Sequence, residues 1–101
     1  MSKIYQYFGL IFEFHSNDHY PIHVHVIYNE FGNKLVFVYK NGKLIGFQIK
    51  RIKGRKYLPP SILREAKQVA VEYEKQIRRK WNEFYVLKQK PRFEVITKRI
   101  R

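Results

Sequence analysis

The chain of 101 residues contains no cysteine. That excludes disulfides, thiol nucleophiles and cysteine-ligated zinc, and it suits a reducing compartment. Carboxylates are scarce as well: eight Asp and Glu stand against 21 Lys and Arg, a formal charge of +13. Long apolar runs are also missing. The longest near the N-terminus, residues 7–12, stops at Glu13 and is too short for a signal peptide or a membrane span. A cytoplasmic protein with no membrane partner is the expectation. There are no internal repeats, and low complexity is confined to clusters of charge. At this length one domain, residues 1–101, should hide roughly two-thirds of its unfolded surface.

The charge that is present is unevenly spread. Residues 1–33 hold one lysine, Lys3, against Glu13, Asp18 and Glu30, a net −2, whereas residues 34–101 hold 20 Lys and Arg against five Glu, a net +15. A basic surface of this strength attracts polyanions, since each phosphate neutralised releases counterions. Nucleic acid is therefore the first partner class, with RNA ahead of DNA. A surface that is merely solubilising is the plain alternative.

Alternation and turn chemistry place the elements. Over residues 5–15, Phe8, Leu10, Phe12 and Phe14 recur every second position and predict a first strand, with Glu13 and His15 on its other face. The polar residues 16–18 end it in a turn, and Pro21 leads into a second strand, residues 22–28. In that strand His23, His25 and Ile27 share one face, and Val24, Val26 and Tyr28 the other. After a loop at residues 29–33, a third strand at 34–40 meets Asn41-Gly42, the strongest short hairpin signal, and a fourth strand occupies 43–50. Short connections predict an antiparallel meander.

Residues 50–56 carry five positive charges in seven positions: Lys50, Arg51, Lys53, Arg55 and Lys56. Pro59-Pro60 then opens a helix, in which Ile62, Ala66, Val69, Tyr73, Ile77, Trp81 and Phe84 form one apolar stripe of about six turns. Lys67, Lys75, Arg78, Arg79 and Lys80 lie off the stripe. Pro91 ends any helix, and residues 93–96 could add an edge strand. The expected fold is α+β: a small antiparallel sheet of about four strands covered on one face by one long amphipathic helix. Because Val24 and Val26 are more apolar than His23 and His25, the helix should pack on the valine face and the two histidines should point away from it.

Three of the four histidines, His19, His23 and His25, fall within seven residues, and His15 lies just before them. Imidazole exchanges protons near neutrality and is a common metal ligand. Residues two apart on a strand put their Cα atoms about 6.6 Å apart on one face, near enough to flank a scissile phosphate. The bland reading is that His23 and His25 are ordinary strand residues pairing across the sheet. Asn17 and Asp18 are read as turn-shaping, Pro21 as structural and Trp81 as a packing anchor. Tyr7, Tyr20, Tyr28 and Tyr39 would stack on bases if their face is open and are core otherwise.

The sequence Asn17-Asp18-His19-Tyr20-Pro21-Ile22-His23-Val24-His25, with Leu58-Pro59-Pro60 and Trp81 further on, resembles the bacterial family called domain of unknown function 4160. The resemblance covers nearly the whole chain. It implies an α+β fold and a gene neighbourhood like that of toxin-antitoxin modules, hence an antitoxin-like protein partner, but no established activity. Members usually carry an acidic-leucine pair shortly before the tryptophan, where this chain has Gln76-Ile77-Arg78-Arg79-Lys80, and many are less basic. The nucleic-acid expectation accordingly belongs to this chain.

Three functional expectations follow. The first is a toxin-like, metal-independent ribonuclease with His19, His23 and His25 as the catalytic groups and Lys50, Arg51, Lys53, Arg55, Lys56, Arg78 and Arg79 on the nucleic acid. The second is a nucleic-acid-binding or partner-binding module without catalysis, with an open sheet face serving a homodimer or another protein. The third is an enzyme with no resident organic cofactor but a divalent metal held by His23 and His25, with Asp18 or His19 as the third ligand and water as the fourth. A histidine-triad nucleotide hydrolase would need a third alternating histidine where Ile27 stands, and is disfavoured.

Overall fold

The computed structural model describes residues 2–15 and 19–100. Over these the chain forms β1 (Ser2–Tyr7), β2 (Leu10–Phe14), β3 (His23–Tyr28), β4 (Phe31–Lys40), β5 (Lys43–Arg51), α1 (Pro60–Glu72), α2 (Glu74–Tyr85) and β6 (Glu94–Ile96). The sheet runs β5-β4-β3-β2-β1-β6. Its first five strands are an antiparallel meander, and β6 returns to lie parallel to β1, so the sheet is mixed. The α+β class and the meander stand; the four strands become six and the long helix becomes two.

The first expected strand divides because Phe8 adopts φ 53° and, with Gly9, turns the chain back on itself. Phe8 thereby leaves the alternation and is 41% exposed. Gly9 lets the Tyr28 ring lie close, since a Cβ there would sit 2.9 Å from that ring and push it aside. The loop expected at residues 29–33 is only a two-residue turn, Asn29 having φ 54°, and Phe31, Gly32 and Asn33 already belong to β4. Asn41 and Gly42, at φ 52° and 77°, make the hairpin that Asn-Gly predicts. The turn expected at Asn17 and Asp18 lies outside the described residues.

The helical stripe bends at Tyr73, whose φ and ψ are −105° and 21°. Hydrogen bonds from the Tyr73 N–H to the Val69 carbonyl and from the Ile77 N–H to the Tyr73 carbonyl carry the ladder across the bend. A straight helix from 60 to 85 would be about 39 Å long, more than the 33 Å of the molecule's longest dimension. The bend keeps both halves on the sheet.

Strand pairing carries the alternation across the sheet, so that Phe12 faces Val26, Val24 faces Leu35 and Phe37 faces Phe47. Ala66, Val69, Ala70 and Ile77 close over this face, and all four are fully buried. Each large side chain so buried contributes about 1.5–3 kcal/mol. Phe14 packs edge-on against Trp81 with centroids 5.4 Å apart, and Tyr5 lies 5.1 Å from Tyr73. Burial first, and then the nearby Glu94, pushes the Tyr5 phenol up to about 12. Burial and a 2.8 Å hydrogen bond donated to Glu74 push the Tyr39 phenol upward too. Both phenols therefore stay neutral across the physiological range.

Lys80, expected on the solvent side, is 6% exposed. Its ammonium donates to the Arg92 carbonyl at 2.6 Å and to Glu94 Oε1 at 2.8 Å, and lies 4.9 Å from the Tyr5 ring centre. It fastens the β6 segment to α2, a contact 14 residues away in sequence that helical periodicity does not register.

Candidate functional site

The sheet face away from the helices carries a different set of residues. Register places Lys3 opposite Glu13, Glu13 opposite His25, His25 opposite Lys34, and Lys34 opposite Lys50. One row of ionisable side chains thus crosses five strands. The neighbouring row runs from His23 through Val36 to Gln48. His23 and His25 lie on the face opposite Val24 and Val26, where the alternation puts them.

They are not open to water in the way their direction suggested, being 9% and 5% exposed. His15 covers His25, the two rings stacking with centroids 3.6 Å apart and planes 3° from parallel. The His15 ring is held in turn by Glu13, its Nε2 lying 3.2 Å from Oε1, and its carbonyl accepts a 2.5 Å hydrogen bond from the Tyr85 hydroxyl. At the start of β3, Trp81 meets His23 at 5.4 Å and Tyr20 at 5.6 Å. Trp81 is 1% exposed, and its indole N–H has no hydrogen-bond acceptor among the described residues. The His23 Nδ1 lies 2.9 Å from the Pro21 carbonyl.

A cleft of about 310 Å³ opens on this face. His19, Tyr20 and Pro21 form one wall with His23 at the start of β3; Lys34 and Val36 come from β4, and Gln48 and Lys50 from β5. Two ammonium groups on directly opposed residues repel each other, and neither Lys34 nor Lys50 is in an ion pair among the described residues. An anion seated between them would relieve that repulsion. The Tyr20–Pro21 peptide in the adjoining wall is cis.

The cleft gathers some of the expected site residues and leaves others elsewhere. His19, His23 and Lys50 line it, whereas His25 lies beside it beneath His15. Arg51 and Lys53 are exposed beyond it. Arg55 donates to the Asn29 carbonyl at 2.6 Å, and Lys56 is strapped to the start of β4 by backbone bonds with Glu30 and Gly32. Buried Asn33 fixes that strap at both ends, donating to the Lys50 carbonyl and accepting from the Leu58 N–H. Arg78 and Arg79 line a second cleft together with Lys75, Trp81 and, again, Tyr20. Asp18, one of the two expected third metal ligands, lies outside the described residues. Among those described, no group of three His, Cys, Asp or Glu is arranged to hold an ion.

The expected site left out Lys34, Gln48 and the Glu13–His15 pair. Alternation put Glu13 and His15 on one face, which was a usable signal. Lys34 and Gln48 join only through register. Among the described residues, no helix is long and apolar enough to cross a membrane.

Fold and site together define a small α+β protein whose mixed sheet is helix-covered on one face and carries a histidine-lysine cleft on the other. The family model described as domain of unknown function (DUF4160) matches residues 9–82, and the chain belongs to that family. The match takes in both walls of the cleft and reaches Trp81. No curated protein and no solved structure matches the chain.

Proposed function

We propose that the cleft binds an RNA phosphodiester and cleaves it without a metal. The observation that carries this reading is the opposed pair Lys34 and Lys50 in one cleft with His19 and His23. Their ammonium groups would hold the non-bridging oxygens and stabilise the extra negative charge of the phosphorane. The His23 imidazole would take the proton of the ribose 2′-hydroxyl as its oxygen attacks phosphorus. His19 would protonate the departing 5′-oxygen as the P–O5′ bond breaks, leaving a 2′,3′-cyclic phosphate and a free 5′-hydroxyl. His25 and His15 support the cleft from beside it. A ribonuclease of this kind would serve as the toxin of a two-component module, with an acidic protein as its antitoxin.

Incubation with an RNA oligonucleotide in EDTA tests this. Cleavage that survives chelation, yields cyclic phosphate ends and disappears in His23→Ala is the expected result. Cleavage abolished by EDTA would replace the mechanism with a metal-dependent one. Salt-sensitive binding with no cleavage under any metal condition would leave a binding module.

A further inference from the structure

Tyr20 lines both clefts. On one side are His19, His23, Lys34 and Lys50; on the other are Lys75, Arg78 and Arg79. Tyr20 is 63% exposed as a residue, although its ring packs at 59° against Trp81. An exposed aromatic ring flanked by two positively charged hollows has the composition of a single-strand binding track, in which phosphates lie over cations and a base lies on the ring between them. In the second hollow Arg78 is already engaged by Glu74 at 3.2 Å, whereas Lys75 and Arg79 are exposed and in no ion pair among the described residues.

We infer that the ligand of this protein is a single-stranded RNA that crosses Tyr20, with one phosphate in the histidine cleft, the adjacent base stacked on the Tyr20 ring, and a neighbouring phosphate held by Lys75 and Arg79. The inference deepens the cleavage reading and rests on it for the position of the first phosphate. A base inside a duplex already has stacking partners on both sides, so it cannot use the ring. The track therefore selects unpaired RNA by shape and stacking.

Fluorescence anisotropy with the full chain tests this, using a labelled 12-nucleotide single strand and the same sequence as a blunt duplex. The single strand should bind more tightly. Tyr20→Ala should weaken single-strand binding by about tenfold and leave duplex binding unchanged, while Tyr20→Phe and Tyr20→Trp retain it; thermal melts confirm that each variant is folded. The double variant Lys75→Gln with Arg79→Gln, which gives up one phosphate contact, should lower the salt slope of single-strand binding by about 0.7. Equal affinity for single strand and duplex, a neutral Tyr20→Ala or an absence of salt-sensitive binding would overturn the inference. Failure of the cleavage reading is distinct: the oligonucleotide would stay intact while strand preference and Tyr20 dependence persist.

Discussion

The two faces of this sheet come from the same strands and differ in almost every property. Toward the helices, Phe12, Phe14, Val24, Val26 and Leu35 are fully buried in a continuous apolar layer. Away from them, the intervening positions of the same strands present Glu13, His25, Lys34 and Lys50 in one row, with His23 beside it. One face supplies folding energy through contact with the helices. The other keeps polar groups close together, partly shielded by His15 and Trp81 and partly open as a cleft. Substitutions should accordingly divide into those that cost stability and those that cost binding.

The largest loss of stability is expected at the residue that joins the two faces. Trp81→Ala removes a ring buried against Phe14, His23 and Tyr85, and should cost about 3–5 kcal/mol in urea denaturation. A cost below about 1 kcal/mol would show that the helices are not anchored there. Lys80→Ala comes next. It removes two hydrogen bonds from a buried ammonium, and a loss of about 2–3 kcal/mol is expected, visible as faster amide exchange in β6.

A smaller effect concerns acid. The hydrogen bond from Lys80 holds the Glu94 carboxyl below its ordinary value of 4.5. A lowered folded-state value means that this stabilisation is complete above about 4.5 and is lost as the pH falls toward the folded value. Melting temperatures of wild type and Glu94→Gln should therefore converge as the pH drops through that window, and parallel curves would remove Lys80 as the cause. The smallest stability effect belongs to the open face. Lys34→Gln with Lys50→Gln should leave stability within about 0.5 kcal/mol of wild type, because like charges on opposed residues do not stabilise the sheet, while lowering the salt slope of single-stranded RNA binding by about 0.7. If this variant unfolds, or binds RNA as before, the division of labour between the faces fails.

The two basic regions make a related point. Residues 50–56 are the densest run of positive charge in the chain, yet only Lys50 lines the histidine cleft. Arg55 and Lys56 hold the connection to α1 in place. Lys34, an isolated lysine in an apolar strand, is brought beside Lys50 by β4–β5 pairing. Density along the chain was therefore a poor guide to convergence in space.

By itself the sequence determined the class of the fold, the antiparallel meander, the Asn41-Gly42 hairpin and which of two faces each residue of β3 occupies. Those features depend on local chemistry: a period of two, a period near 3.6, and turn residues that tolerate positive φ. Tertiary structure alone decided the split of the first strand, the bend at Tyr73, the parallel return of β6 and the burial of Lys80. It also decided that His19 and His23 face Lys34 and Lys50 while His25 lies under His15. Each of these depends on strand register or on packing between segments far apart in the chain. A one-residue change in register would send every side chain of a strand to the opposite face, so the site exists only once the whole sheet has closed.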